Sequence, residues 1–270
     1  MSLELLSPPR ARDASVEASL LFLEPSQRKP RVDVSYAAGV LPATEIYAPQ
    51  RVRLQDARPI GARLDAEGFA LLRHVSAVRD FHDDDLAANL GRTEAAQLVA
   101  DATGAAHVQV FDHTRRRRAS DAVRQPSTRV HVDYTEASGP QRVRDLFGAG
   151  AYALLSRRFA FINVWRPIRH AAWDWPLALC DARSVDPADL VATDLVYPDR
   201  RGEIYGLVYN RVQRWFYLPD MGLDEVLLIK CYDSAPDVAR FTPHTAFESP
   251  LTPPNAPPRE SIEFRTIAFF

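Results

Sequence analysis

The sequence lacks the features that mark membrane-spanning and nucleic-acid-binding proteins. Uninterrupted apolar runs such as Ala151–Leu155 and Val226–Ile229 are short, whereas a transmembrane helix needs roughly 20 apolar residues. Neither sign of charge dominates, because 33 basic and 35 acidic residues give a net charge of −2. No broad positive field would therefore attract a nucleic acid. We expect neither a membrane nor a nucleic acid as the main partner, and no heptad pattern indicates a partner helix.

Cysteine is scarce as well. Cys180 and Cys231 are the only cysteines, and they do not form a CxxC pair. Two separate cysteines in a chain of this length are typical of buried thiols in a reducing compartment. The N-terminal segment MSLELLSPPRARD also lacks the basic start and long apolar stretch of a secretory signal. We therefore expect a cytoplasmic protein.

Glycine is outnumbered by proline, with 11 glycines against 21 prolines. Proline is excluded from helix interiors and central strands, so many elements must be short and joined by fixed turns. Alternating and apolar segments predict strands along most of the chain. These predicted strands are Ala18–Leu23, Arg51–Leu54, Gly68–His74, Ala106–Phe111, Arg129–Tyr134, Phe159–Trp165, Leu177–Cys180, Glu203–Tyr209, Arg214–Leu218, Glu225–Tyr232 and Ser261–Phe270.

Two segments have helical character. Asp85–Thr103 carries apolar residues at helical spacing and is followed by Gly104, and Gln141–Arg157 is a weaker candidate because it contains Gly148 and Gly150. The pattern predicts a β-rich α+β fold whose antiparallel core is flanked by helices and closed as a barrel or jelly roll. We expect residues 1–270 to form one domain, with residues 1–104 wrapping a core of residues 105–270.

The segment Arg129–Tyr134, with sequence RVHVDY, carries the clearest chemical signal. Residues two apart in a strand point to the same face, so His131 and Asp133 project together while Val130 and Val132 pack on the other side. An imidazole and a carboxylate on one face supply two neighbouring ligands for a divalent metal. A second histidine would complete the two-His-one-carboxylate set of non-haem iron(II) oxygenases.

Six further histidines are available for that third position: His74, His82, His107, His113, His170 and His244. His244 lies near the C-terminal end of the strand-rich region, and Arg259 and Ser261 follow it at the start of the last predicted strand. An arginine can hold a carboxylate with two hydrogen bonds, and a serine two residues on faces the same way. A dicarboxylic keto acid such as 2-oxoglutarate needs such a cation for its far carboxylate. Arg265, on the same predicted strand face, competes with Arg259 for this role.

The arrangement His131-x-Asp133, then His244, then Arg259-x-Ser261 resembles the iron(II)/2-oxoglutarate oxygenases. More narrowly, the chain resembles the cephem methoxylase and aspergillic-acid hydroxylase/desaturase-like family, which includes a fungal gibberellin desaturase. The resemblance spans nearly the whole chain. The segments that carry it are VHVDYT (130–135), NVWRP (163–167), PLALCDARSV (176–185), YDS (232–234), PHTAF (243–247) and RESIEFR (259–265).

The resemblance implies a double-stranded β-helix core, iron(II) held by His131, Asp133 and His244, and use of 2-oxoglutarate and O2. It also implies hydroxylation or desaturation of an unactivated C–H bond in a small natural-product-like molecule, with release of succinate and CO2. Two other functions fit the same residues. A zinc hydrolase could use the same triad to activate water, and a jelly-roll protein could bind a small ligand without catalysis.

The segment FINVWRP holds further candidates. Asn163 is a candidate hydrogen-bond partner of a 2-oxoglutarate carboxylate, and Arg166 a candidate partner of the substrate or of a buried acid. We expect Trp165 and Tyr134 to pack in the core. The run Arg115–Arg118 predicts a solvated loop, since the rest of the chain is balanced in charge. The aspartates of His82-Asp83-Asp84-Asp85 are expected to cap the following helix.

Overall fold

The computed structural model describes residues 15–33, 46–122, 124–198 and 200–270. Strands predominate within these ranges, and the helices are few and short, as the β-rich prediction requires. The strands in chain order are β1 (Val16–Leu23), β2 (Arg31–Asp33), β3 (Tyr47–Asp56), β4 (Phe69–Arg73), β5 (His107–Arg117), β6 (His131–Val132), β7 (Phe159–Pro167), β8 (Leu177–Cys180), β9 (Leu190–Val196), β10 (Arg201–Leu207), β11 (Trp215–Tyr217), β12 (Glu225–Asp233), β13 (His244–Ala246) and β14 (Glu260–Phe269).

The helices lie before β5 and between β6 and β7. They are α1 (Asp84–Leu86), α2 (Arg92–Thr103), α3 (Ser138–Phe147) and α4 (Ala151–Leu155). A π-helical turn, Ala87–Gly91, joins α1 to α2, and a 3-10 turn, Gly148–Gly150, joins α3 to α4. In the part of the chain that the structure describes, no helix has both the length and the apolar character needed to cross a membrane.

The described strands form two sheets. The larger sheet has the order β1-β3-β11-β8-β13-β6-β10-β9-β2, and the smaller has the order β4-β12-β7-β14-β5. Pairing is antiparallel except between β3 and β11 and between β2 and β9. Strands β1 to β4 come from the segment that we expected to wrap the core, and they contribute pairs to both sheets.

A hydrophobic core lies between the two sheets. Phe161 and Trp165 of β7 pack in the same cluster as Leu179 of β8 and Phe216 of β11. Alternation along β7 sends Ala160, Ile162 and Val164 to the opposite face, where α2 covers the smaller sheet. A residue at an odd position of β7 therefore faces the larger sheet, and one at an even position faces away from it.

Local sequence explains where the first helix begins and why the helix predicted after β6 is interrupted. Asp83 caps α1, because its carboxylate accepts hydrogen bonds from the backbone N–H groups of Asp85 and Leu86, as expected for this aspartate cluster. The single helix predicted over 141–157 is instead interrupted at Gly148, whose φ of 53° is the left-handed conformation that glycine tolerates.

The arginine run is the clearest difference from prediction. Arg115, Arg116 and Arg117 continue β5, which pairs with β14 along its length. The prediction of a solvated loop over Arg115–Arg118 is therefore wrong for these three residues. Hydrogen bonding to a ten-residue partner strand outweighs the local preference of charged residues for loops. Strands β2, β9 and β13 were not predicted, since two of them span three residues and β9 carries little alternation.

Candidate metal centre

His131, Asp133 and His244 meet near the middle of the larger sheet, where β13 and β6 are neighbouring strands. Strands β6 and β13 pair directly at His131 and His244, which places the two imidazole centroids 4.6 Å apart. Nε2 of His131 lies 3.4 Å from Oδ1 of Asp133. One ligand atom from each of the three residues falls within 4.8 Å of the others, a spacing that suits a shared divalent cation.

Backbone carbonyls orient both imidazoles. Nδ1 of His131 donates a hydrogen bond to the carbonyl of Arg129 at 2.8 Å, and Nδ1 of His244 donates to the carbonyl of Thr242 at 3.0 Å. Because a carbonyl only accepts, each ring is held with its proton on Nδ1 and its lone pair on Nε2. Burial and the neighbouring His131 lower the pKa of His244, which favours the neutral form that binds metals.

The carboxylate of Asp133 is held through its other oxygen. Nδ2 of Asn163, on β7, donates to Oδ2 at 2.7 Å, and the thiol of Cys231, on β12, lies 3.7 Å from the same atom. Oδ1 is thereby directed towards the imidazoles. Burial alone raises the pKa of Asp133, but the interaction with the neighbouring His131 and the charge of Arg265 hold it well below its usual range. The group is therefore a carboxylate at neutral pH.

Arg259, immediately before β14, lines the cavity of the metal centre, and Ser261 lies two residues further on, within that strand of the facing sheet. Both side chains are 1% exposed, and Arg259 lines the cavity together with the triad. Nη1 of Arg259 donates to the carbonyl of Trp175. Nε of Arg259 and Oγ of Ser261 have no hydrogen-bond partner among the described residues. Unpartnered buried polar atoms are costly, and these two fit the carboxylate of a ligand that enters the cavity.

Arg265, the competing candidate, is already paired. Its guanidinium lies 3.0 Å from Oδ2 of Asp112 and 3.1 Å from Oε1 of Glu263. These acids, with Asp133, raise its pKa above the usual value despite burial. Arg259 has no such ion pair within the described ranges. The geometry therefore favours Arg259 over Arg265 as a carboxylate-binding residue.

The structure does not bring Arg166 to the site. Arg166 is at an even position of β7, on the face turned away from the larger sheet, where it contacts Nδ1 and the carbonyl of His74 and the carbonyl of Leu223. Asn163 reaches Asp133 rather than a position beside Arg259. Trp165 and Tyr134 are packed aromatic residues, as expected; Tyr134 stacks on Phe161 with centroids 4.1 Å apart.

Sequence reasoning missed two residues around the metal centre. Cys231 was predicted only to be a buried thiol, although it also contacts Asp133. Arg116 was assigned to a solvated loop, although it lines the cavity with the triad. Both face inward because of strand alternation, and the face that alternation selects depends on pairings with distant strands.

A larger cavity, of about 500 Å³, lies beside the metal centre. Asp133 and Arg265 line both cavities. Phe111, Tyr134 and Ile204 contribute apolar and aromatic surface to the larger one, and α3 and the β9–β10 hairpin supply much of the remaining wall. The volume lies within the range of small-molecule sites.

Known proteins are similar to this chain in sequence and in fold over nearly its full length. A family model described as an oxidoreductase/YMDC permease-like domain matches residues 20–269. The Fe(II)/2-oxoglutarate-dependent dioxygenase nvfI of Aspergillus novofumigatus is 34% identical over 267 residues, covering 94% of this chain and 96% of that protein. The chain belongs to the Fe(II)/2-oxoglutarate-dependent dioxygenases.

Other relatives carry related names. The hydroxylase/desaturase efuI of Hormonema carpetanum is 30% identical over 235 residues, covering 77% of this dioxygenase and 78% of that protein. A solved structure of the iron and alpha-ketoglutarate-dependent endoperoxidase NvfI superposes with a TM-score of 0.85 at 33% identity, covering 94% of this chain and 98% of that one.

These likenesses confirm the family inferred from the motifs. The dioxygenase requires Fe(II), 2-oxoglutarate and O2, and its family hydroxylates or desaturates small molecules. Relatives such as nvfI and efuI are named as a dioxygenase and a hydroxylase/desaturase, so neither the zinc-hydrolase nor the ligand-binding alternative gains support from them.

Proposed function

We propose that this dioxygenase hydroxylates or desaturates a small natural-product-like molecule in the cavity of about 500 Å³, with Fe(II) held by His131, Asp133 and His244. The observation that carries the proposal is the convergence of three ligand atoms within 4.8 Å at the edge of that cavity. When bound, iron with 2-oxoglutarate and O2 supplies the oxidant for an unactivated C–H bond, and succinate and CO2 are released.

The residues of the chain would bind and orient the reactants. Arg259 and Ser261, with their unpartnered Nε and Oγ, would hold the far carboxylate of 2-oxoglutarate. Asn163 would fix the metal-binding carboxylate rather than bind the co-substrate. Phe111 and Tyr134 would present an apolar surface to the substrate and reduce access of water to the reacting carbon.

We further propose that the two facing sheets form a double-stranded β-helix, or jelly roll, and that residues 1–270 constitute one oxygenase domain. The shared core between the sheets and the close superposition on an iron and alpha-ketoglutarate-dependent enzyme support this. A reducing, cytoplasmic compartment is consistent with Cys180 and Cys231, which are both buried and free.

An anaerobic titration tests the site. Metal-free protein is mixed with Fe(II) and 2-oxoglutarate, and the visible spectrum is followed for a metal-to-ligand charge-transfer band. We expect a band in the wild type and in the control His107→Ala, an exposed histidine at the start of β5. We expect none in His131→Ala, Asp133→Ala or His244→Ala. A band of full intensity in any of these three would refute the triad.

The reaction outcome needs a separate measurement. One relative is named a hydroxylase/desaturase and another an endoperoxidase. Substrate candidates are therefore incubated with enzyme, Fe(II), 2-oxoglutarate and O2, and the molecular masses of the products are determined by mass spectrometry. One added oxygen atom indicates hydroxylation, and loss of two hydrogen atoms indicates desaturation. Addition of two oxygen atoms in a single turnover would contradict the proposal and point to peroxide formation.

A further inference from the structure

Arg116 is the one inward-facing residue of the arginine run on β5 that lines the metal-site cavity. It pairs in register with Ser261 of β14, and directly paired residues of antiparallel strands share a face. Its neighbours face outward and have partners there. Arg115 bonds Asp84 and two backbone carbonyls, and Arg117 bonds Asp121.

The guanidinium of Arg116 is poorly satisfied for a group in this position. Its hydrogen bond, from Nη1, goes to the carbonyl of Gln125 at 2.8 Å, and among the described residues no carboxylate lies within ion-pairing distance. Burial, and the nearby charge of Arg265, lower its pKa from the usual value. Arg116 is partly exposed, and a partly desolvated guanidinium with no paired anion attracts negative charge, so an anionic ligand would be stabilised here.

The charges around the cavity do not balance. Its lining includes the cations Arg116, Arg259 and Arg265 and the anions Asp133 and Glu263. Glu263 forms an ion pair with Arg265, at 3.1 Å. This leaves Arg116 and Arg259 facing the cavity with no acid of their own among the described residues. Burial and then repulsion from Arg116 lower the pKa of Arg259 to about 9.

The nearest other acid does not relieve this pair. Asp174 accepts a hydrogen bond from the backbone N–H of Arg259, at 3.0 Å. Its other oxygen is 3.0 Å from Nη1 of Arg118, so that carboxylate is already paired. Two guanidinium groups that repel each other across one cavity form a site for a carboxylate, since an anion between them replaces repulsion by two attractions.

We infer that Arg116 is a second cation for the far carboxylate of 2-oxoglutarate, acting opposite Arg259 and at the level of Ser261. The inference rests on the proposed function of the site. Arg116 and Ser261 are directly paired, so their Cβ atoms are separated by about 5 Å, and a carboxylate bound by Ser261 is within reach of the longer side chain. Arg116 is a binding residue in this assignment and takes no part in the oxidation.

The size of the cavity agrees with a mobile Arg116. The metal-site cavity has a volume of about 20 Å³, enough for a single water molecule. Side chains must therefore move when a five-carbon diacid enters. Arg116 is the side chain best able to do so, because a single hydrogen bond to Gln125 holds its guanidinium. Arg259, by contrast, is fixed between the carbonyl of Trp175 and the ring of Trp165.

The test compares two keto acids that differ at the far end. Fe(II)-loaded protein is titrated without O2 with 2-oxoglutarate and with 2-oxopentanoate, which lacks the far carboxylate, and the charge-transfer band and the heat of binding are both recorded. Arg116→Gln should raise the Kd for 2-oxoglutarate by about tenfold to a hundredfold, as expected for a lost charge-assisted hydrogen bond. Its affinity for 2-oxopentanoate should stay within about twofold of the wild type.

Two further variants make the result specific. Arg117→Gln, the neighbouring arginine on the outward face, should bind both acids as the wild type does. Arg116→Lys keeps the charge but not the planar fork, so it should recover part of the lost affinity for 2-oxoglutarate. Arg116→Lys also replaces Arg116→Gln as the test if that variant does not fold. It should still lower the affinity for 2-oxoglutarate and leave the affinity for 2-oxopentanoate unchanged.

Each outcome decides the assignment. Unchanged affinity of Arg116→Gln for 2-oxoglutarate would overturn it. An equal loss of affinity for both keto acids would also overturn it, since Arg116 would then act through the metal or the fold. Failure of the proposed function looks different, because the wild type itself would give no charge-transfer band with either acid.

Discussion

Replacement of Asn163 by leucine tests how the metal-binding carboxylate is oriented. Asn163 donates to Oδ2 of Asp133 at 2.7 Å from a position that is 1% exposed. Leucine has the same branching and number of side-chain heavy atoms but no donor, so the thiol of Cys231 would remain as the neighbour of that oxygen at 3.7 Å. The carboxylate would then be free to rotate away from His131 and His244.

The magnitude follows from the bond that is lost. A hydrogen bond to a charged group contributes about 1.5–3 kcal/mol, and loss of a residue that orients a metal ligand weakens metal binding by about 10–100-fold. These two ranges agree, since each factor of ten corresponds to about 1.4 kcal/mol. We therefore expect the Kd for a divalent metal to rise about tenfold to a hundredfold in Asn163→Leu.

The assay is a titration of the metal-free protein with Mn(II), in which the EPR signal of the free ion gives the Kd. Thr266→Val is the matched control. Oγ1 of Thr266 donates to the carbonyl of Ile162 at 2.7 Å in the same sheet, on the face turned away from the metal centre. The control should lower stability without changing the Kd. Equal Kd values for Asn163→Leu and the wild type would refute the reasoning.

The pH dependence of metal binding by Asn163→Asp is a second test of the contact between residue 163 and Asp133. The introduced carboxyl would lie against Asp133, whose own pKa is held well below the usual range. Like charge and burial raise the pKa of the introduced group. Below that pKa it is protonated and donates to Oδ2; above it, it is ionised and repels Asp133. Metal affinity relative to the wild type should therefore fall as the pH rises, and a ratio independent of pH would contradict the assigned contact.

Three further predictions concern other parts of the fold. Arg259→Ala should raise the apparent KM for 2-oxoglutarate, measured by succinate formation, more than it lowers kcat; an unchanged KM would assign the carboxylate to another cation. Gly68→Ala should destabilise the protein by more than about 1–3 kcal/mol in urea unfolding, because φ is +90° and the new Cβ would lie 2.2 Å from Oγ1 of Thr242. Lys230→Met should cost about 1.5–3 kcal/mol, since it removes a buried cation 2.8 Å from the fully buried Asp233, whose carboxylate keeps its pairing with Arg158. A stability equal to the wild type would show that the Lys230–Asp233 pair is dispensable.

The sequence predicts the metal ligands well because their signal is local. His131 and Asp133 are two residues apart in an alternating segment, so any strand containing both places them together. The facing valines, Val130 and Val132, are fully buried on the other side. His244 required more, because six histidines were available and its pairing with His131 brings together residues far apart in the chain. Its choice rested on order along the chain and on family resemblance.

The residues that support the ligands depend on long-range pairing. Asn163, Cys231 and Arg116 lie on β7, β12 and β5, which adjoin or flank one another only through the order of the smaller sheet. Alternation divides each strand into two faces, but it does not say which face meets the metal. The arginine run illustrates this limit, because its composition favours a solvated loop while its partner strand fixes one arginine inside the cavity.

Strand β7 shows what can still be read from such a segment. All nine of its residues are buried, and a buried polar side chain must find a partner or incur a desolvation cost. Asn163 and Arg166 are the two strongly polar residues of FINVWRP, so both were bound to be paired. Three positions separate them, an odd number, which places them on opposite faces of the strand. One of the two therefore had to face away from any single site, and the contacts with Asp133 and His74 identify Arg166 as that residue.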